Sequence, residues 1–173
     1  MKKLITLTLL LGSISSFYAQ EFTYDRNGLT DYVTKEVSGM NSQEIYAKVK
    51  LWIASAYDNP QEVLRLDKPN KKIRVTAIKK KGFCIDSQCS DYQYEIEITF
   101  DEGKYRFDPL RLAAWAPTGA TNLPLNDGSI YFKRNGKPKA YSKEICGSIE
   151  KLFNDLDASL YKYVSKEKLE EGK

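Results

Sequence analysis

Two glutamates and three cysteines are the residues of this chain whose type and spacing could do chemistry. Glu95 and Glu97 stand two apart in a run that alternates apolar and polar residues. Strand rise puts both on one face about 7 Å apart, near the separation of paired glycosidase carboxylates. Alternating acids are also what a wet sheet face ordinarily carries, so a carboxylate-dependent hydrolase is the alternative to a non-catalytic domain. Cys84 and Cys89 flank Ile85-Asp86-Ser87-Gln88. In an oxidising compartment they can pair across that loop for about 2 kcal/mol, or either can pair with Cys146 across a longer loop for about 4 kcal/mol. Their spacing is not the Cys-x-x-Cys arrangement that tunes a redox thiolate. Cys146 falls on the apolar face of a helical pattern, which favours a buried free thiol there.

Histidine is absent from all 173 residues. That excludes Ser-His and Cys-His nucleophile pairs, imidazole acid-base catalysis and zinc sites needing an imidazole ligand. No catalytic, metal or cofactor motif is present, so the expectation is a non-enzyme without cofactor.

The chain opens with Met1-Lys2-Lys3 and an apolar run from Leu4 to Leu11, then Gly12, Ser13, Ser15 and Ser16 and a small Ala19 before Gln20. A positive start, an apolar run too short to span a bilayer and a small residue before a polar switch are the marks of a cleavable secretory signal. The expectation is a signal over residues 1–19 cut after Ala19, with Phe17 awkward three positions before the cut. A single domain over 20–165 and a charged tail over 166–173 follow, with periplasmic or secreted location and no transmembrane segment once the signal is gone. Of 27 basic residues, Lys2 and Lys3 leave with the signal, so 25 face 23 acidic ones. A nearly neutral chain lacks the concentrated basic excess of a nucleic-acid binder, and Lys79-Lys80-Lys81 is most simply a solvated strand end.

The elements that would hold these residues follow from periodicity. Leu29 to Val37 is expected as a strand ended by Ser38-Gly39, and Asn41 with Glu44 forms a capping box for a helix with Ile45, Val49, Trp52, Ile53 and Ala56 on one face. Asp58-Asn59-Pro60 stops it. Val63 to Lys68 and Lys72 to Lys80 make a hairpin around Pro69-Asn70, and Tyr92, Tyr94, Ile96, Ile98 and Phe100 mark the inner face of the clearest strand. After Glu102-Gly103, a strand from Lys104 to Leu112 changes phase at Asp108-Pro109, which calls for a bulge or an edge position. Residues 113–138 are expected as an irregular insert with one strand-like piece at Ile130 to Lys133. A helix over 142–165 is expected to start at Ser142 as N-cap, with Tyr141 and Cys146 as a hydrophobic staple and Ile145, Ile149, Leu152, Phe153, Leu156, Leu160 and Val164 as its stripe. The result is an α+β domain in β-α-β-β-β-β-α order.

Val37-Ser38-Gly39, Glu44-Ile45-Tyr46, Trp52-Ile53, Asp67 and Lys72-Ile73 resemble an exported bacterial family, domain of unknown function 4468, with a TATA-binding-protein-like fold. The resemblance covers residues 29–112. It implies a curved antiparallel sheet with helices packed on one face, and it carries no activity; a fold shared with a DNA-bending protein does not transfer DNA binding. The functional expectation is an exported, non-catalytic binding or accessory domain of the cell envelope. Its partner would be a protein or a small apolar ligand, not nucleic acid, and Trp115, Tyr131 and Phe132 in the insert are the candidate surface.

Overall fold

The computed structural model describes residues 20–166 except 86, 87, 117 and 118. The expected signal and the charged tail beyond Lys166 lie outside them. Two short strands, β1 (Tyr24–Asp25) and β2 (Gly28–Leu29), come first, followed by β3 (Val33–Glu36) and helix α1 (Ser42–Ala56). A single turn α2 (Pro60–Val63) leads into β4 (Leu64–Lys68), β5 (Lys72–Ile85), β6 (Gln88–Asp101), β7 (Lys104–Ala116) and β8 (Gly119–Leu123), and α3 (Ser142–Val164) closes the fold. The main sheet is antiparallel and open, ordered β3-β7-β6-β5-β4, with β8 also paired to β7. This is the α+β class expected from the sequence, with β8 and the β1-β2 hairpin added.

The expected capping box is present: Asn41 Oδ1 accepts from the Glu44 N–H, and Glu44 Oε2 accepts from the Asn41 N–H. Ile45, Val49, Trp52 and Ile53 are buried beneath it, whereas Ala56 at the helix end is exposed. The Pro69-Asn70 turn also forms, with Asn70 at φ 58° and the Lys71 N–H bonded to the Lys68 carbonyl. On β6, Tyr92, Tyr94, Ile96, Ile98 and Phe100 all face the core.

Around Pro109 the register slips: Glu95 opposes Arg111 while Ile96 opposes Pro109, leaving Leu110 as the extra residue of a bulge. On the other side of β7, pairing with β3 extends as far as Phe107 and pairing with β8 begins at Leu112. The proline therefore occupies a gap in the ladder where no N–H is needed.

Four expectations require correction. The strand expected from Leu29 to Val37 is two strands, broken at Thr30–Tyr32. Lys79-Lys80-Lys81 does not end a strand: Lys80, Lys81 and Gly82 together oppose Asp91, and the Lys81 N–H bonds the Asp91 carboxylate, so the lysines mark a bulge beyond which β5 continues. The irregular insert begins later, because Ala113 to Ala116 prolong β7 and pair with β8, while Ile130 to Lys133 gives only an isolated bridge between Phe132 and Pro138. Finally, Ser142 is the first helical residue and not the cap. Its hydroxyl is buried without a hydrogen-bond partner, and Tyr141 is exposed, so no staple forms.

Helices α1 and α3 pack antiparallel on one face of the sheet. Lys48 Nζ caps the α3 C-terminus by donating to the Val164 carbonyl at 2.8 Å, and Trp52 Nε1 donates to Ser159 Oγ at 3.1 Å. Inner-face tyrosines meet this layer with their hydroxyls satisfied: Tyr92 with Ser148, Tyr94 with Tyr57, and Tyr105 with Asp157. A buried ring whose polar tip has a partner adds apolar area without a desolvation penalty.

The segment before β1 belongs to this core. Phe22 is buried against Phe107 and Phe153, and Asn154 on α3 brackets it by accepting from its N–H and donating to its carbonyl. Farther on, two glycines let loops interlock: a Cβ on Gly128 would lie 1.9 Å from the Asp25 carbonyl oxygen, and one on Gly28, at φ 116°, would lie 2.3 Å from that of Leu125.

Candidate functional site

The outer face of the sheet holds the paired glutamates. β5, β6 and β7 place Arg74, Glu97 and Asp108 in one cross-strand row, with Lys72, Thr99 and Arg106 in the next. Glu97 is 8% exposed and accepts from Lys72 Nζ at 2.9 Å and from Arg74 Nη2 at 2.9 Å. Arg74 Nη1 also reaches Glu95 Oε1 at 3.5 Å, so a single guanidinium spans both carboxylates. Burial alone would raise the Glu97 carboxyl, but the bonds from Lys72 and Arg74 outweigh it and hold the group below the ordinary glutamate range. A general acid requires the opposite shift. The two glutamates thus form an ion-pair ladder.

That ladder makes a pH prediction. A carboxyl depressed in the folded state contributes stability above its unfolded pKa, and the contribution disappears as pH falls through the folded value. Wild-type protein should lose stability increasingly below the ordinary glutamate value of 4.5. Glu97→Gln should be less stable at neutral pH, show a shallower decline in acid, and approach wild type only once the pH has fallen below the depressed Glu97 value, where both side chains are neutral. Thermal melts across this range check it; parallel curves would sink the assignment.

The candidate surface residues separate. Trp115 stands near the end of β7 on the outer face, 47% exposed, opposite Asp91 on β6 and Ala120 on β8. Ile78 on β5 is also exposed on that face, at 57%. Tyr131 and Phe132 lie elsewhere: Tyr131 is buried, its ring meets that of Tyr24 edge-on, and the partly buried Phe132 stacks on the same tyrosine. The three do not form one surface.

Cys84 and Cys89 are directly opposed across β5 and β6. Opposed residues in an antiparallel pair have Cα atoms about 4.5–5.5 Å apart, within the range a disulfide spans. Residues 86 and 87 of the intervening loop lie outside the described residues. Cys146 is a buried free thiol, as expected, and burial pushes it up to about 11, which makes it unreactive.

One concavity was not legible in the sequence. A groove of about 920 Å³ runs between β3 and the C-terminal half of α3, bordered by Glu21, Thr34, Glu36, Asp155 and Tyr161. At its floor Lys35 Nζ pairs with Asp157 Oδ2 at 3.1 Å and donates to the Gln20 carbonyl at 2.8 Å. Among the described residues no group of His, Cys, Asp or Glu is placed to hold a metal ion, and no helix is long and apolar enough to cross a membrane.

An open antiparallel sheet with two helices across one face is the architecture of the TATA-binding-protein-like domains. A crystal structure of a TBP-like protein from Parabacteroides distasonis superposes with TM-score 0.61 at 14% identity, covering 78% of this chain and 91% of that one. More particularly, a DUF4468 family protein from Bacteroides ovatus superposes with TM-score 0.61 at 9% identity, covering 83% and 90%. At these identities the likeness establishes the fold, and it agrees with the resemblance carried by the α1 and hairpin residues. No family model and no curated protein matches the chain.

Proposed function

We propose that this chain is an exported, non-catalytic binding or accessory domain of the cell envelope that engages a protein partner through the outer face of its sheet. The observation that carries the reading is Trp115, left 47% exposed on a strand face that also carries the exposed Ile78 two strands away. Large apolar side chains left exposed on a polar face are features of interaction sites, and tryptophan is prominent among the residues that dominate binding energy. An open sheet face suits a protein surface better than a small apolar ligand, which needs enclosure.

Export is supported by the basic start, the short apolar run and the small residue at Ala19. In an oxidising compartment the opposed Cys84 and Cys89 would form a disulfide and tie the distal hairpin together. Nucleic acid fits this face poorly, because Asp91, Glu95, Glu97 and Asp108 lie among its cations and repel phosphate.

Trp115→Ala should abolish capture of the partner from envelope extract while shifting the melting temperature by no more than about 2 °C, since surface substitutions are usually within about 0.5 kcal/mol. Retained capture together with a large fall in melting temperature would show that Trp115 serves packing, and would remove the basis for this reading.

A further inference from the structure

We propose that the groove between β3 and α3 is a docking site for an extended polypeptide segment bearing lysine or arginine, added as a strand to the free edge of β3. The inference rests on reading the domain as a binding module, and it assigns a surface separate from Trp115. Three observations point to it.

The first is an unpaired edge. β3 is terminal in the sheet order, with β7 its only strand partner among the described residues. The Val37 N–H bonds the Gly103 carbonyl on the β7 side, whereas the Thr34 N–H points away and bonds Gln20 Oε1 at 3.0 Å. Backbone groups in an antiparallel strand alternate between its two edges, so the N–H and C=O of Glu36 face outward with Thr34. An exposed row of this kind is a template for an added strand.

The second is the shape of what faces that edge. Asn154, Asp155, Asp157, Ala158 and Tyr161 of α3 form the opposite wall, so the cavity is a trough between strand and helix. The chain itself already places an amide oxygen there: Gln20 gives Thr34 the acceptor that a neighbouring strand would supply. An incoming backbone carbonyl replaces that side-chain oxygen without changing the bond.

The third is charge. Lys35 is matched by Asp157 at the floor, and Asp155 by Lys151 on the same helix. Glu21 and Glu36 line the trough and form no ion pair among the described residues, which leaves it acidic. Opposite charge on the incoming segment gives both register and attraction.

The test uses fluorescence anisotropy of the full chain with three labelled hexapeptides: alternating valine and lysine, alternating valine and glutamate, and the valine–lysine peptide with alternate amides N-methylated. The valine–lysine peptide should bind, N-methylation should weaken it by about tenfold or more because the added strand loses its backbone bonds, and the glutamate peptide should not bind. Glu36→Lys should weaken the valine–lysine peptide by about tenfold, and Trp115→Ala should leave it unchanged. Amide exchange at Glu36 should slow when peptide is present. Equal binding of the N-methylated peptide would overturn the strand-addition geometry. Loss of binding in Trp115→Ala but not in Glu36→Lys would overturn the groove while supporting the Trp115 surface. Failure of every peptide to bind would sink the groove, and partner capture through Trp115 would still be judged by its own experiment.

Discussion

Asp157→Ala is expected to cost about 3–5 kcal/mol, or roughly 8–15 °C in melting temperature for a domain of this size. The carboxylate is 4% exposed on the sheet-facing side of α3. It accepts from the Tyr105 hydroxyl at 3.1 Å and pairs with Lys35 at 3.1 Å. Truncation therefore strips the anion from a lysine whose side chain is 14% exposed, and it leaves a buried tyrosine hydroxyl without its acceptor. Burial pushes the Asp157 carboxyl above the ordinary aspartate range even though Lys35 and Tyr105 pull it down. Because the charged pair is itself held against desolvation, removing both charges should be far cheaper than removing one. Asp157→Asn keeps an acceptor for Tyr105 and should fall between wild type and alanine. Asp157→Asn with Lys35→Met should return to within about 1 kcal/mol of wild type. Urea melts of the four proteins give this order; a double variant no better than Asp157→Ala would mean that the pair is needed as an ion pair.

Trp52→Ala is the second large effect, at about 3–5 kcal/mol. Trp52 lies where α1 meets α3 and is 2% exposed. Its ring meets Tyr57 at 5.9 Å in an edge-on arrangement, and its indole N–H is bonded to Ser159. Alanine leaves a cavity between two helices that are each held by the sheet and cannot close over it. Trp52→Phe retains most of the apolar volume and loses the bond to Ser159, so it should cost about 1–2 kcal/mol. Similar losses in the two variants would show that the hydrogen bond, not the packing, dominates. Neither substitution reaches the outer face, so partner capture at temperatures below the melt should survive both.

Much of the framework was legible because it is encoded over short distances. The capping box needs only Asn41 and Glu44, three residues apart, and both bonds form. The β6 alternation reports one buried face directly, and the phase slip at Asp108-Pro109 is a bulge because an odd residue must leave the ladder somewhere. The end of β7 was not legible. Ala113-Ala114-Trp115-Ala116 has no apolar alternation, and it becomes a strand by pairing with β8. Ser142 has the chemistry of a cap, yet the chain enters α3 one residue earlier and buries the hydroxyl.

The chain by itself therefore determined the α+β class, the order of most elements and the position of the turns, since each depends on neighbours a few residues away. It also placed Glu95 and Glu97 on one face of a strand. Only the tertiary structure decided what that face brings together. Arg74 and Lys72 arrive from the adjacent strand to clamp the glutamates, Tyr131 turns inward onto Tyr24, and Trp115 stays in solvent. The groove at β3 has the same origin. Gln20, Lys35 and Asp157 are far apart in sequence, and no local pattern records a meeting created by packing the first strand of the main sheet beside the last helix.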